Sequence, residues 1–369
     1  MSVLILTPDP EKPGGIANYF KVLRNRFNVP VHYFLRGPRA PERRGGRIGR
    51  LLRDYLAFSR ECRSHRLVQV NSSLRRRSTP RDALFLIIAR LLSKKSVLFF
   101  RGWDKNYESM LIRNVLLFWL FRQIYFRAAA MITLSEDVRR TLVAWGYTGR
   151  IYLETTLVDD DLTLGVDERM LKKKRKSLKK RPRLLFLSRV EKEKGIYEVI
   201  AAYEKLKKKY KNLRLDIAGE GTELENVKTI VEQSGIRDIR FLGFVRDEQK
   251  ADVLRKANVF VFPTYHGEGM PHSVLEAMAF GLPVITRRVG GLCDFFQNNR
   301  MGILVESTDL DEIAEAIEQM LLDRKITRKM ALYNYRYARE HFMASIVVDR
   351  IEKIYKDLLD EPMPEVKEK

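Results

Sequence analysis

The chain has 369 residues, of which 45% are hydrophobic and 10% aromatic, as in an ordinary folded protein with room for two cores. Its net charge of +22 is unusual, because such a surface attracts nucleic acid, anionic lipid headgroups and phosphorylated small molecules. Two cysteines, Cys62 and Cys293, exclude a disulfide framework or a cysteine metal cluster and suggest a reducing compartment.

The chain opens with a short apolar run, residues 3–7 (VLILT), that a proline soon follows and no basic segment precedes. This pattern predicts a first β-strand rather than a signal peptide. The most apolar stretches, residues 83–92 and 114–121, are shorter than the roughly 20 residues that a membrane span needs. We therefore expect no transmembrane segment.

Short β-rich runs alternate with longer amphipathic runs along nearly the whole sequence. The predicted strands are VLILT, VHYFL, LVQVN, VLFFR, MITLS and IYLE, followed by RLLFLS, RLDIAG, IRFLGF, VFVFPT, PVIT and GILV. Strands that alternate with helices are typical of parallel sheets with helices on both faces. The predicted fold class is α/β, with two doubly wound Rossmann-like domains.

The predicted first domain, residues 1–164, is rich in arginine. Between Arg36 and Arg81 there are fourteen arginines, three acidic residues and no lysine, and the forked guanidinium suits phosphate or carboxylate. Residues 83–92 and 114–121 could provide membrane-facing helices beside these arginines. Helices buried against the sheet are the more ordinary interpretation of the same stretches.

A basic linker, residues 165–182, is predicted between the domains. Nine of the twelve residues in Lys172–Arg183 (KKKRKSLKKRPR) are Lys or Arg, so we expect this run to stay out of any core. A solvated linker or helix face is one interpretation, and a docking patch for lipid phosphate or nucleic acid is the other. The second domain is predicted at residues 183–342.

Two glutamates flank a proline in residues 266–286 (HGEGMPHSVLEAMAFGLPVIT). Glu268 follows a predicted strand in a loop, whereas Glu276 lies in a helix that Pro271 opens and Gly281 ends. In doubly wound sheets such a loop faces the ligand, and a helix start favours an anion there. The two carboxylates are predicted to accept hydrogen bonds from sugar or ribose hydroxyls beside a phosphate.

The same domain begins with RLLFLSRVEKEKGI, a strand followed by Arg189, Lys194 and Gly195. Cations just after a strand, with a glycine that opens the next helix, can bind a phosphate without a metal. The segments IAGEG (residues 217–221) and FLGFV (residues 241–245) make this pattern more specific than basic loop residues alone.

Together these residues resemble the retaining glycosyltransferases of family 4 (glycosyl transferases group 1), which have the GT-B fold of two Rossmann-like domains facing each other across a cleft. The resemblance covers most of the chain and is strongest over residues 183–291. It implies that Arg189 and Lys194 hold the donor diphosphate. It also implies that Glu268 lies near the anomeric carbon of the transferred sugar and that Glu276 binds the ribose.

The resemblance assigns catalytic roles to Glu268, Arg189 and Lys194, and it implies neither a metal ion nor a cofactor beyond the nucleotide diphosphate sugar. The implied donor-binding residues are Gly14, Gly15, Arg189, Lys194, Phe244, Val245, Glu268, Gly269, Met270, Pro271 and Glu276. By analogy with this fold, residues 343–369 form a helix that crosses back to the first domain, followed by a mobile polar tail.

Two positions depart from the family pattern. Ser188, directly before Arg189, stands where many members of the family have a glycine. The loop Arg101-Gly102-Trp103-Asp104 has an arginine where the family has a histidine that touches the donor sugar. Either the donor sugar is held differently, or Arg101 meets a negative group on donor or acceptor, as a possible sugar or acceptor contact together with Asp104. The third alternative is that Arg101 only pairs with Asp104.

The resemblance implies a retaining, metal-independent hexosyltransferase. From the cysteine usage we expect it in the cytoplasm, and from the basic first domain at the inner face of the membrane as a peripheral protein. The acceptor would be a glycan or a lipid-linked molecule in cell-surface polysaccharide or glycolipid synthesis, which the basic first domain also suggests. A nucleotide-sugar epimerase or a phosphorylase on the same scaffold is one alternative. A basic nucleic-acid-binding protein is another, although KKKRKSLKKRPR lacks the aromatics of such surfaces.

Overall fold

The computed structural model describes residues 2–11, 14–37, 47–265, 267, 269–307 and 309–360. They divide into two compact units. Unit 1 takes its described residues from Met1–Thr155, Gly267–Gly269 and Ala344–Lys369, and unit 2 from Thr156–His266 and Met270–Met343. The predicted tail, residues 361–369, lies outside the described residues.

Unit 1 contains a parallel sheet with the strand order β2-β1-β3-β4-β5-β6. The strands are β1 (Val3–Thr7), β2 (Val31–Leu35), β3 (Leu67–Leu74), β4 (Lys95–Trp103), β5 (Ala130–Thr133) and β6 (Arg150–Leu153). Every residue of β1 and of β5 is buried, which explains their continuous apolar runs, because a sheet covered on both faces leaves no polar side.

Helices cover both faces of this sheet. The helices of unit 1 are α1 (Gly15–Leu23), α2 (Arg47–Cys62), α3 (Ser78–Leu91), α4 (Lys105–Arg113), α5 (Val115–Tyr125), α6 (Glu136–Ala144) and α15 (Ala344–Asp360). Helix α3 packs on β3 and β4 and contacts α2 and α5, and α5 contacts α4. Helix α15 packs on β3 and α1.

Successive side chains of β3 point to opposite faces of the sheet. Val68 and Val70 belong to the core that α3 covers, whereas Gln69 accepts a 2.6 Å hydrogen bond from Tyr355 of α15. Helices α3 and α15 therefore cover opposite faces.

Unit 2 contains a second parallel sheet, with the order β12-β11-β10-β7-β8-β9. Its strands are β7 (Arg183–Leu187), β8 (Arg214–Ala218), β9 (Ile239–Phe241), β10 (Val259–Phe262), β11 (Val284–Thr286) and β12 (Gly302–Leu304). Its helices are α7 (Glu168–Lys180), α8 (Ile196–Lys209), α9 (Leu224–Gln233), α10 (Asp247–Lys256), α11 (His272–Ala279), α12 (Leu292–Phe295), α13 (Leu310–Leu322) and α14 (Arg324–His341). The strand order is that of a doubly wound nucleotide-binding domain.

Most of the predicted basic linker is helical, in agreement with a helix face rather than a linker. Residues 168–180 form α7, which packs against α14 and α10 of unit 2. Lys174 is buried and its Nζ donates to the carbonyls of Leu254 at 2.7 Å and Phe280 at 2.9 Å. These carbonyls lie at the ends of α10 and α11, where helices leave acceptors without partners. A lysine of the basic run is therefore inside unit 2 because it satisfies two helix ends.

The predicted α/β fold class with two doubly wound units is confirmed, and each predicted strand overlaps a strand of the structure. Residues 83–92 and 114–121 correspond to α3 and α5, whose inner faces are buried through residues such as Phe85 and Phe121. Part of each helix nevertheless remains exposed, as Leu91 and Leu116 show.

Candidate active site

The centre of the unit 2 sheet brings two predicted loops together. Strands β7 and β10 are neighbours, and the chain order of the strands reverses between them. Doubly wound sheets bind ligands at this point, outside the carboxyl ends of the strands. The loop after β7 carries Arg189 and Lys194, and the loop after β10 leads to α11.

These two loops are joined by backbone contacts. The carbonyl of Glu193 accepts hydrogen bonds from the hydroxyl of Thr264 and the amide of Tyr265, both at 3.1 Å. Gly195 has a φ of +80°, and a Cβ atom there would lie 2.7 Å from the carbonyl oxygen of Pro263. Only glycine fits this position, because both the backbone conformation and the close approach exclude a side chain.

The two predicted phosphate-binding cations differ in exposure. The side chain of Arg189 is 65% exposed, and its Nη1 lies 2.5 Å from Oε1 of Glu191. Lys194 is buried, with 3% of its surface exposed, at the end of a 3-10 turn that precedes α8. Arg189 can thus reach a ligand in solvent, whereas Lys194 is held within the loop.

The glycines of IAGEG allow the β7 loop to lie close to β8. A Cβ atom on Gly219 would lie 1.8 Å from the carbonyl oxygen of Ser188, and one on Gly221 would lie 2.2 Å from that of Val190. The amide of Gly219 also donates to the carbonyl of Gly243 at 2.7 Å. The loop after β7 and the segments IAGEG and FLGFV therefore lie side by side, as their joint pattern in the sequence predicted.

Phe244 and Val245 follow Gly243 at the end of β9. Phe244 is 61% exposed and Val245 is half-buried, so this segment presents an aromatic ring to solvent near the β7 loop. An exposed aromatic ring at a strand end can stack on a planar group such as a nucleobase.

The segment that joins β10 to α11 includes several predicted donor-binding residues. Glu268 lies outside the described residues, and Gly269 is grouped with unit 1. Met270 is buried, and its carbonyl accepts a 3.4 Å hydrogen bond from Thr156. Helix α11 begins at His272, so Pro271 is the capping residue rather than part of the predicted first turn. Its extended backbone, with ψ of 116°, keeps it outside the helix.

Glu276 is buried on α11 and has a cationic partner that the sequence did not reveal. Its Oε1 accepts a 2.6 Å hydrogen bond from Nζ of Lys250 on α10. This pair explains how an apolar helix tolerates a carboxylate, since a buried charge needs a partner. Lys250 lies in the polar segment DEQKADVL, where no pattern distinguishes it from the surface residues around it.

Arg287 is a second residue that sequence reasoning missed. It follows β11, it is buried, and its guanidinium donates to the carbonyls of Pro263 and, at 2.7 Å and 3.0 Å, Ser307. Burial lowers the pKa of Arg287, although an arginine keeps its charge in proteins. Arg287 therefore fixes the start of the β10 loop. A cation directly after a strand, the signal that identified Arg189, was also present here.

In unit 1 the predicted glycine pair opens α1. Gly14 has a φ of +155°, and a Cβ atom on either Gly14 or Gly15 would meet no atom within 4 Å among the described residues. Both glycines are exposed. Helix α1 thus begins after β1, next to the point where the strand order of unit 1 reverses, with room beside both glycines among the described residues.

Arg101 does not pair with Asp104, so that alternative is wrong. Asp104 caps α4 by accepting from the amides of Asn106 at 2.9 Å and Tyr107 at 3.1 Å. The Arg101 guanidinium lies 3.4 Å from the ring centroid of Phe99, and its Nε donates to Asn71 at 3.2 Å. Its Nη2 is buried without a hydrogen-bond partner in the described part of the chain, which keeps Arg101 a candidate for a negative group.

Among the described residues, no three His, Cys, Asp or Glu side chains lie together as a metal-binding group. None of the helices they form combines the length and the apolar character that crossing a membrane requires.

Residues 167–337 match the model of the family described as glycosyl transferases group 1. The chain carries a group 1 glycosyltransferase domain. The match covers α7 to α14 almost completely and includes Arg189, Lys194, Phe244, Val245 and Glu276. The predicted resemblance to glycosyl transferases group 1 is thereby confirmed.

Curated relatives extend this assignment. The capsular polysaccharide biosynthesis glycosyltransferase CapM of Staphylococcus aureus is 25% identical over 77% of this chain and 76% of its own. A GDP-mannose-dependent alpha-(1-6)-phosphatidylinositol monomannoside mannosyltransferase of Mycobacterium tuberculosis is 30% identical, but over only 41% of either chain. With the family match, these relatives identify a glycosyltransferase.

Solved structures share the fold over nearly the whole chain. Sucrose-phosphate synthase from Thermosynechococcus elongatus has a TM-score of 0.74 at 18% identity and covers 97% of this chain and 99% of its own. HepE of Anabaena, solved with UDP and glucose, has a TM-score of 0.71 at 17% identity over 96% of this chain and 99% of its own. The predicted GT-B fold is therefore confirmed.

Proposed function

We propose that the chain is a retaining, metal-independent hexosyltransferase that uses a nucleotide diphosphate sugar. The observation that carries the proposal is the joining of the β7 and β10 loops at the centre of the unit 2 sheet. Arg189, Lys194 and the start of α11 belong to these loops and offer positive charge to a diphosphate. The exposed ring of Phe244 supports a nucleobase at the end of β9.

In the proposed reaction, the bond between the anomeric carbon and the phosphate oxygen breaks. The acceptor oxygen bonds to the same face of that carbon, and its proton passes to the departing phosphate. Arg189 and Lys194 stabilise the negative charge that develops on the leaving diphosphate, the task that a divalent ion performs in other enzymes. Glu268 would orient the sugar and Glu276 the ribose.

For the acceptor we propose a glycan or a lipid-linked molecule in polysaccharide or glycolipid synthesis. The support is the basic first unit together with relatives named for capsular polysaccharide and for phosphatidylinositol mannoside synthesis. The enzyme would work in the cytoplasm, peripheral at the inner face of the membrane.

A donor panel tests this function. The protein is incubated with UDP-, GDP- and ADP-sugars, and release of nucleoside diphosphate is measured with and without lipid-linked or glycan acceptors. One donor should release its diphosphate, faster with the correct acceptor, and EDTA should not change the rate. Arg189→Ala should lower kcat/KM about 100-fold, whereas Arg237→Ala, an exposed arginine before β9, should leave it unchanged.

The products separate the alternatives. A retained anomeric configuration in the NMR spectrum of the glycoside supports the proposal, and inversion contradicts it. A new nucleotide sugar formed without acceptor would identify an epimerase, and phosphate-dependent release of a sugar phosphate would identify a phosphorylase. If no nucleotide sugar bound and Glu276→Ala had no effect on any activity, the transferase function would be excluded.

A further inference from the structure

Helix α5 of unit 1 is apolar on its outer face as well as on its inner face. Residues 115–121 read VLLFWLF, and Phe121 and Tyr125 bury the inner face. The outer face consists of Val115 (80% exposed), Leu116 (67%), Trp119 (54%) and Leu120 (41%). A helix that is apolar all round is normally covered on all sides by protein or by lipid. In the part of the chain that the structure describes, this outer face has no such cover.

The neighbouring helix α4 continues the apolar surface. Met110 and Ile112 are 40% and 45% exposed near the corner where α4 meets α5. An open groove at this corner is lined by Met110 and Val115 together with Asn106, Ser109, Arg113 and Asn114. We call the exposed residues Met110, Ile112, Val115, Leu116, Trp119 and Leu120 the outer patch. It combines aliphatic surface, one tryptophan and a cation at its edge.

The helices packed beside α5 carry similar residues. Helix α3, which contacts α5, exposes Leu91 to 79%, and α2, which contacts α3, exposes Leu56 to 64%. Single exposed leucines are common on soluble proteins, but a series of them across adjacent helices marks an interaction surface.

The surroundings of the outer patch are positively charged. Between residues 47 and 127 the sequence has eighteen Lys and Arg and five Asp and Glu. One of these acids, Asp82, is fully buried beneath Arg36 and Arg81 and adds no negative charge to the surface. Arg113 and Arg122 are exposed at the two ends of the outer face of α5.

The outer patch and the arginines around it together fit an anionic bilayer better than protein or nucleic acid. A second copy of the chain would set arginine against arginine around the same patch, which is unfavourable. Single-stranded nucleic acid binds through stacked aromatic rings, whereas five of the six outer-patch residues are aliphatic or Met. An anionic bilayer offers hydrocarbon for the patch and phosphate for the arginines.

We propose that unit 1 docks on an anionic lipid bilayer through the outer patch, with α4 and α5 lying in the plane of the interface. Trp119 sits at the level of the headgroups, as amphipathic rings do, and Arg113 and Arg122 extend to lipid phosphates. The docking deepens the proposed function, because it gives a membrane-borne acceptor a place next to unit 1, but it can be tested without any turnover.

Vesicle flotation of the full chain tests the docking. Wild type should float with vesicles of phosphatidylcholine containing about 30% phosphatidylglycerol and stay in solution with pure phosphatidylcholine. The variant Val115→Ser/Leu116→Ser/Trp119→Ser should bind the anionic vesicles at least about 10-fold less. The matched control Ile230→Ser/Leu322→Ser/Ile326→Ser removes three exposed apolar side chains of unit 2 and should float like wild type.

Tryptophan quenching and donor turnover test the docking independently of flotation. Quenching of tryptophan fluorescence by brominated lipid should occur in the wild type and be largely lost in Trp119→Phe, since Trp103 and Trp145 are half-buried. Nucleoside diphosphate release from soluble donor should be unchanged in the triple variant, which separates docking from activity. Equal flotation of both triple variants, no flotation of wild type, or loss of a dimer in sedimentation of the patch variant would each overturn the proposal.

Discussion

The interior of unit 2 and the outer helices of unit 1 both contain basic side chains, but they hold them differently. In unit 2, Arg287 and Lys174 are buried and each donates to two backbone carbonyls, so these side chains fix the backbone. In unit 1, Arg113 and Arg122 project into solvent. The same residue types thus fix the backbone at these two positions of unit 2 and form a charged surface on the outer helices of unit 1. Substitutions should therefore affect stability at such buried positions far more than on the outer helices.

The largest effect is expected at Gly195. Gly195→Ala places a methyl group 2.7 Å from the Pro263 carbonyl oxygen at a φ of +80°, so we expect a loss of about 3 kcal/mol in the free energy of unfolding. Urea denaturation of the purified variant measures this loss. The affinity for the donor should fall as well, because the β7 and β10 loops would separate.

Gly235→Ala is the matched control. Gly235 also has a positive φ, +61°, but a Cβ atom there would meet nothing within 4 Å among the described residues. Its replacement should cost only the roughly 1 kcal/mol of the left-handed backbone. Equal losses in the two variants would show that the contact with Pro263 contributes nothing to the unit 2 loops.

An intermediate effect is expected at Lys174. Lys174→Met leaves the carbonyls of Leu254 and Phe280 without their donor, which should lower the free energy of unfolding by about 2 kcal/mol at neutral pH. Burial holds the pKa of Lys174 well below its ordinary value, so the unfolded chain binds the proton more tightly. The advantage of wild type over Lys174→Met should therefore grow with pH until about 10.4, the ordinary lysine value.

Lys172→Met separates this effect from a general change in charge. Lys172 lies on the same helix but is exposed, so its replacement should change stability by less than about 0.5 kcal/mol. Thermal unfolding of the three proteins between pH 7 and about pH 10 compares them directly. A difference between wild type and Lys174→Met that does not vary with pH would mean that Lys174 keeps its ordinary pKa when folded.

The features that were predicted from sequence are those that the backbone imposes locally. Buried strands are continuous apolar runs, and a residue such as Gly219, whose Cβ would overlap the Ser188 carbonyl, must be glycine. Contacts between residues that are far apart in the sequence produce no such local pattern. Nothing in KKKRKSLKKRPR indicates that Lys174 turns inward, and nothing marks Lys250 as the partner of Glu276. The outer face of α5 was also ambiguous, because an apolar run looks the same whether protein or lipid covers it.

The smallest effect, about 1 kcal/mol, is expected at Asp104 in unit 1. Asp104 accepts hydrogen bonds from the first amides of α4, so Asp104→Ala should cost that amount, whereas Asp104→Asn should retain most of the cap. Thermal unfolding measures the stability of both variants, and donor turnover measures their activity. If the Asp104 carboxylate also contacted donor or acceptor, Asp104→Asn would lower kcat/KM while leaving stability almost unchanged. Normal activity in Asp104→Asn would instead restrict Asp104 to a structural role and leave Arg101, with its unpartnered Nη2, as the candidate of this loop for contact with a negative group.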